Sequence, residues 1–167
     1  SHQRILESFK NREIDILVGT QMISKGLDFP NVTLVGVISA DASLNLPDFR
    51  ASERTFQLIT QVAGRAGRGD EKGSVIVQTY NPQHYSICAA SHHDYISFYR
   101  EELPIRKEYY YPPFVQLINL SFSGKRAKEV YAVSQKIADS IKYILKSKGY
   151  NRYDDIVFGP NPAIVAK

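Results

Sequence analysis

Gln61-Val62-Ala63-Gly64-Arg65-Ala66-Gly67-Arg68-Gly69 sets two arginines three residues apart with only small residues between them. On a helix that spacing puts both guanidinium groups on one face, with Gln61 one turn upstream on a nearby face. Glycine and alanine leave the backbone open to close approach by a bulky anion. Arginine stays charged and presents a rigid fork of donors, so the pair suits a triphosphate whose terminal oxygens gain charge during transfer. A solvated basic helix end, with arginine complementing the helix dipole, is the alternative this stretch leaves open by itself.

Upstream, Ile5, Leu6 and Phe9 fall at helical spacing and predict a short amphipathic helix. Ile14 to Val18 is a β-rich run closed by Gly19 and Thr20, and Val32 to Ile38 is a second. Two such runs divided by a loop and followed by helices predict parallel strands in an α/β sheet. Ligands of open sheets sit beyond the carboxyl ends of the strands, which is where Gly19, Thr20 and the loop through Asp28 are expected. The Thr20 hydroxyl and the bare Gly19 backbone suit a sugar-phosphate chain. A polar turn, with Gly26 in a left-handed conformation and Asp28 bonding its own backbone, is the competing explanation. Lys25 reads as a solvated lysine. Asp48 is the expected N-cap of a long helix whose apolar contacts are Phe49, Phe56, Leu58, Ile59 and Val62. That helix carries Gln61, Arg65 and Arg68 to its far end. Arg50, Glu53 and Arg54 lie on it at ion-pair spacing.

Downstream, Gly73 to Thr79 resumes the sheet, and a helical region after Pro82 is expected to end near Leu103. Residues 104–113 read as a linker, because prolines end helices and restrict the residue before them. Tyr109, Tyr110 and Tyr111 either stack on single-stranded bases or pack the joint between domains. Phe114 to Phe122 predicts a strand, Lys125 to Lys148 a long amphipathic helix, and Asp155 to Phe158 a further strand. The helix has Val130, Ile137, Ile141, Ile144 and Leu145 inward and is stopped by Gly149. The β-α-β order predicts a small α+β sandwich. The division is therefore 1–103, a linker at 104–113, and 114–167.

Composition narrows the classes. A chain of 167 residues with 43% hydrophobic content can bury a core in one or two domains, and a net charge of +4 leans toward polyanions. Cys88 is the single cysteine, which excludes an internal disulfide framework and a cysteine-rich zinc cluster. His84, His92 and His93 lack a cysteine or acidic pair to complete a ligand set, so no metal site is expected. No apolar run reaches membrane-spanning length and no signal-peptide pattern opens the sequence, so no membrane partner is expected and a reducing cytoplasm fits.

The pattern Gln-x-x-Gly-Arg-x-Gly-Arg at 61–68 resembles motif VI of superfamily 2 helicases, and Ile16 to Pro30 resembles their motif V. Gly19-Thr-Gln-Met22, Lys25-Gly-Leu-Asp-Phe-Pro30, Leu46-Pro-Asp-Phe-Arg50 and Glu53-Arg54 narrow the likeness to the bacterial replication-restart helicases. Tyr111-Pro-Pro-Phe114, Gly159-Pro160 and Pro162-Ala163 are similar to the C-terminal domain of that family, so the resemblance covers essentially the whole chain.

The resemblance implies the second RecA-like helicase lobe, partial, followed by a truncated C-terminal α+β domain. It implies ATP between two lobes, with Mg2+ held mainly by the first, and a zinc cluster in an upstream region. Arg68 and Arg65 would meet the terminal phosphates, and Gln61 would order the site and its attacking water. Gly26 and Asp28 would lie toward the nucleotide, Gly19 and Thr20 near the DNA backbone. The implied activity is 3′ to 5′ unwinding at stalled or branched forks, with replication restarted by primosome assembly. Implied partners are single-stranded and forked DNA, the single-strand-binding protein, and primosome and helicase-loading proteins, in a nucleoid-associated cytoplasmic setting. No Gly-x-x-x-x-Gly-Lys-Ser/Thr loop and no helicase-type Asp-Glu box occurs in the 167 residues, so this stretch is not expected to hydrolyse ATP alone. A DNA translocase or remodeller that does not unwind, and a non-catalytic module binding fork DNA and protein, stay open as alternatives.

Overall fold

A computed structural model describes residues 2–20, 31–64, 73–150 and 156–162. The chain divides into two compact units, Ser1–Leu117 and Ile118–Lys167.

In the first unit, helix α1 (His2–Lys10) forms where the apolar spacing places it. Strands β1 (Leu34–Val37) and β2 (Ser74–Val77) pair in parallel, Val35 opposite Val75 and Val37 opposite Val77. Both strands alternate exposed and half-buried residues, so the four valines turn inward while Leu34 and Ile76 face out. Between them lie the single turn α2 (Asp41–Leu44) and helix α3 (Ala51–Ala63). Ala51, Thr55, Phe56, Ile59 and Val62 of α3 are buried, the i, i+4, i+7 stripe of a helix with one face in a core. Helices α4 (Tyr85–Ser91) and α5 (Tyr95–Glu108) complete the unit. The core gathers Ala40, Phe56, Ile59, Ile87, Ala89, Ala90 and Phe98, with Val37 and Val77 of the sheet packed against it. Phe56 and Phe98 stack at 4.6 Å between ring centroids.

Several expectations are corrected. Ile14 to Val18 is not a strand, and Ile16 and Val18 are exposed. A β-rich run becomes a strand only through partners, and no described strand pairs with this one. Helix α3 begins two residues later than the Asp48 cap implied. Arg50 is the N-cap residue, and the Asp48 carboxylate instead accepts the Arg50 amide at 2.9 Å. The Arg50 amide, with the Arg50 and Arg54 guanidiniums, holds that carboxyl below its usual range against the opposing effect of burial. Helix α5 does not stop near Leu103 but runs through Pro104 to Glu108. Pro104 and Arg100, whose carbonyl the proline leaves without its helical donor, are both exposed, so water can solvate the freed group. Phe98 and Glu102 stay buried on the opposite side. Residues 104–113 therefore begin as helix and belong to the first unit.

Helix α6 (Ala127–Ser147) is the one helix described in the second unit. Its buried residues are the small Ser134 and Ala138; Val130, Ile137, Ile141 and Leu145 are half-buried, and Ile144 is exposed, against the inward position expected of it. Gly149 stops α6 as expected, at a φ of +83°. Its amide donates to the Lys146 carbonyl and the Tyr150 amide to the Leu145 carbonyl, each at 3.0 Å, the paired bonds of a left-handed helix end. Residues 114–122 and 156–158 form no strand, and Ile118, Leu120, Ile156 and Phe158 are exposed. The expected β-α-β order is therefore absent among the described residues, for the same lack of strand partners.

Candidate nucleotide and nucleic-acid site

The carboxyl ends of β1 and β2 share one edge, because the strands are parallel. The pairing continues past both strands: the Gln78 amide donates to the Val37 carbonyl at 2.8 Å and the Ala40 amide to the Gln78 carbonyl at 3.1 Å. Asp41, just beyond β1, then fastens the loop after β2. Its Oδ1 accepts the Thr79 hydroxyl at 3.0 Å, and its Oδ2 accepts the Tyr80 amide at 3.1 Å. Thr79 Oγ1 accepts in turn from the Asn81 amide at 3.0 Å. The one signal for this knot in the sequence is an aspartate three residues past the expected strand Val32 to Ile38, and nothing local marks Thr79 or Tyr80.

Of the residues proposed at the site from sequence, Gln61 sits half-buried in the last turn of α3. The helix ends at Ala63, with Gly64 as C-cap at a φ of −68°. A Cβ at Gly64 would meet only ordinary contacts, 3.6 Å from the Thr60 carbonyl oxygen. The backbone there does not require glycine. Gly19 and Thr20 are exposed and follow a segment that is not a strand, so the carboxyl-end argument that placed them does not hold. Arg65, Arg68, Gly26 and Asp28 lie outside the described residues. Among the described residues, no group of three or more His, Cys, Asp or Glu side chains could hold a metal.

Helix α3 is anchored by a guanidinium from α5. Arg106 of α5 donates from Nη2 to Glu53 Oε2 and from Nε to Glu102 Oε1, both at 2.8 Å, and to the Pro112 carbonyl at 3.3 Å. Its carbon Cζ lies 5.4 Å from the centre of the Phe49 ring, which also stacks on Tyr111 at 5.2 Å. Burial opposes the charge on Arg106, but the bonds to Glu53 and Glu102 outweigh it and raise its pKa. The other Glu102 oxygen accepts the Tyr85 hydroxyl. Burial, and then that bond to Glu102, push the Tyr85 phenol up to about 12. Glu102 and Arg106 are four apart on α5, a pairing that a helix end near Leu103 hides. Glu53 is 53 positions away and has no local signature. With both carboxylates paired, this network reads as the brace that sets α3 against α5. Tyr111 joins it, while Tyr109 and Tyr110 remain exposed.

A family model, the helicase conserved C-terminal domain, matches residues 1–70. Replication restart protein PriA of Bacillus subtilis is 46% identical over 167 residues, all of this chain and 20% of that protein. The chain belongs to the PriA family. PriA of Synechocystis is 44% identical over the whole chain and 19% of its own length, and PriA of Treponema pallidum is 50% identical over 76% of the chain and 19% of its own. The chain thus spans about a fifth of the length of these PriA relatives.

Proposed function

We propose that this chain is the C-terminal helicase part of an ATP-dependent 3′ to 5′ DNA helicase that acts at stalled or branched replication forks and restarts replication. The observation that carries the proposal is the likeness to replication restart proteins along the full 167 residues. Under this reading the first unit is the second of two RecA-like lobes and the second unit is part of an α+β C-terminal domain. Arg68, with Arg65, reaches the terminal phosphates of ATP, and Gln61 orders the attacking water. Preorganised guanidinium donors stabilise the charge that develops on the transferring phosphoryl group. Gly26 and Asp28 lie toward the nucleotide, and Gly19 and Thr20 toward the DNA backbone, so that closure on ATP moves the DNA contact. Magnesium is held mainly by the other lobe, and the segment alone does not turn ATP over. Single-stranded and forked DNA, the single-strand-binding protein and primosome and helicase-loading proteins are the partners, in the cytoplasm at the nucleoid.

Strand separation is the deciding experiment. The full-length parent protein, given ATP and a forked duplex, is expected to unwind it. ATP hydrolysis without strand separation would replace the helicase by a translocase or remodeller, and restart that survives Arg68→Ala would replace it by a binding module.

A further inference from the structure

Tyr80 is 96% exposed, yet its backbone is tied down on both sides. Its own amide is held by Asp41, the preceding Thr79 hydroxyl is held by the same carboxylate, and the next amide is held by Thr79. A lone exposed aromatic needs no explanation. One presented on a pinned loop is different, because the ordering that a ligand would otherwise demand is already in place. Position adds a second argument, since Tyr80 follows β2 at the carboxyl edge of a parallel sheet, where such folds take their ligands. Tyr109 and Tyr110 are also exposed, but they follow the end of α5 rather than a strand of the sheet.

We propose that Tyr80 is a stacking platform for an unpaired nucleobase. The choice of a nucleobase among flat ligands rests on the function proposed above. Asp41 makes the base, rather than a phosphate, the matching part: its carboxylate lies directly beneath the loop and would repel a phosphate brought against it. Stacking on the ring face needs no hydrogen-bond donor from the protein and is tolerant of base identity. The base comes either from a single DNA strand or from the bound nucleotide, and both present the same π-face.

The test uses the full-length parent protein and two equilibrium titrations, one with a single-stranded oligonucleotide carrying 2-aminopurine and one with 2-aminopurine riboside triphosphate. Tyr80→Ala is expected to weaken one of them about tenfold and to remove its fluorescence quenching, while Tyr80→Phe keeps both near wild type. Loss with the oligonucleotide assigns the base to DNA, and loss with the triphosphate assigns it to the nucleotide. Unchanged affinity and quenching in both titrations with Tyr80→Ala would overturn the proposal. Because the titrations measure binding, they remain decisive if the parent fails to unwind DNA, and an active helicase with an indifferent Tyr80 would sink this inference alone. Tyr80→Ala removes an exposed ring, and an unchanged melting temperature confirms that the variant is folded.

Discussion

The two units solve the burial problem differently. The first closes α3, α4 and α5 over two strands and stacks Phe56 on Phe98 inside. The second, among its described residues, buries only Ser134 and Ala138 of α6 and leaves Ile118, Leu120, Ile144 and Phe158 exposed. A long helix with good local propensity forms in either setting, but a strand exists only by its partners. The difference teaches that helix periodicity is honoured in both units, whereas β-rich runs are honoured only where a second strand lies alongside.

The sharpest way to break that contrast is to truncate one large side chain in each unit. Phe98→Ala should destabilise the first unit by about 3–5 kcal/mol, since it removes a ring stacked in a closed core. Ile141→Ala, at a half-buried position of α6, should cost about 1 kcal/mol or less, because little packing is lost. Urea unfolding followed by probes in each unit measures both. Equal losses would mean that the second unit is as well packed as the first.

Next in size is the brace. Arg106→Ala strands two carboxylates, one of them on the buried Glu102, and should cost about 2–3 kcal/mol after allowance for the partial exposure of Glu53. Arg106→Lys should recover only part of it, because an ammonium cannot reproduce the fork. Thermal melts of the two variants check the order.

Helix ends supply a smaller and paired test. Helices α5 and α6 finish with the same hydrogen-bond pattern, but Tyr110 occupies at φ +54° the place that Gly149 occupies at +83°. Gly149→Ala should destabilise α6 by about 1 kcal/mol, and Tyr110→Gly should stabilise α5 by somewhat less than about 1 kcal/mol. Circular dichroism melts would show both signs.

The smallest effect is a pH dependence confined to the first unit. His84 caps α4 by accepting the Ser86 amide on Nδ1 at 3.2 Å, and burial lowers its pKa, partly opposed by the Glu102 charge. A histidine with a depressed folded pKa leaves the unfolded chain binding more protons, so its contribution is intact above about pH 6.5 and is lost as pH falls toward the folded pKa. Melting temperature should therefore drop between pH 7.5 and 5.5, and His84→Asn, which can still cap, should flatten the drop.

These contrasts also explain what the sequence disclosed. The apolar stripe of α3, the length and glycine stop of α6, and the runs that became β1 and β2 all follow from local periodicity. Ile14 to Val18 and Phe114 to Phe122 carry equally good local signals and fail, because pairing is not a local property. Pro104 misleads because its cost depends on which side of the helix it faces. At the site, the place of Gln61 in the last turn of α3 follows from the helix periodicity, whereas nothing local marks Asp41 as the anchor of the loop after β2. The Glu53–Arg106 bond and the Asp41–Tyr80 knot join residues 53 and 39 positions apart, beyond any spacing rule.

The central claim is that the arginine at the end of the motif following α3 serves ATP hydrolysis rather than folding or DNA affinity. DNA-stimulated ATPase of the full-length parent protein, compared between wild type and Arg68→Ala, tests it directly. ATPase is expected to fall about a thousandfold or more, with DNA affinity and melting temperature close to wild type. Retained turnover in Arg68→Ala would contradict it.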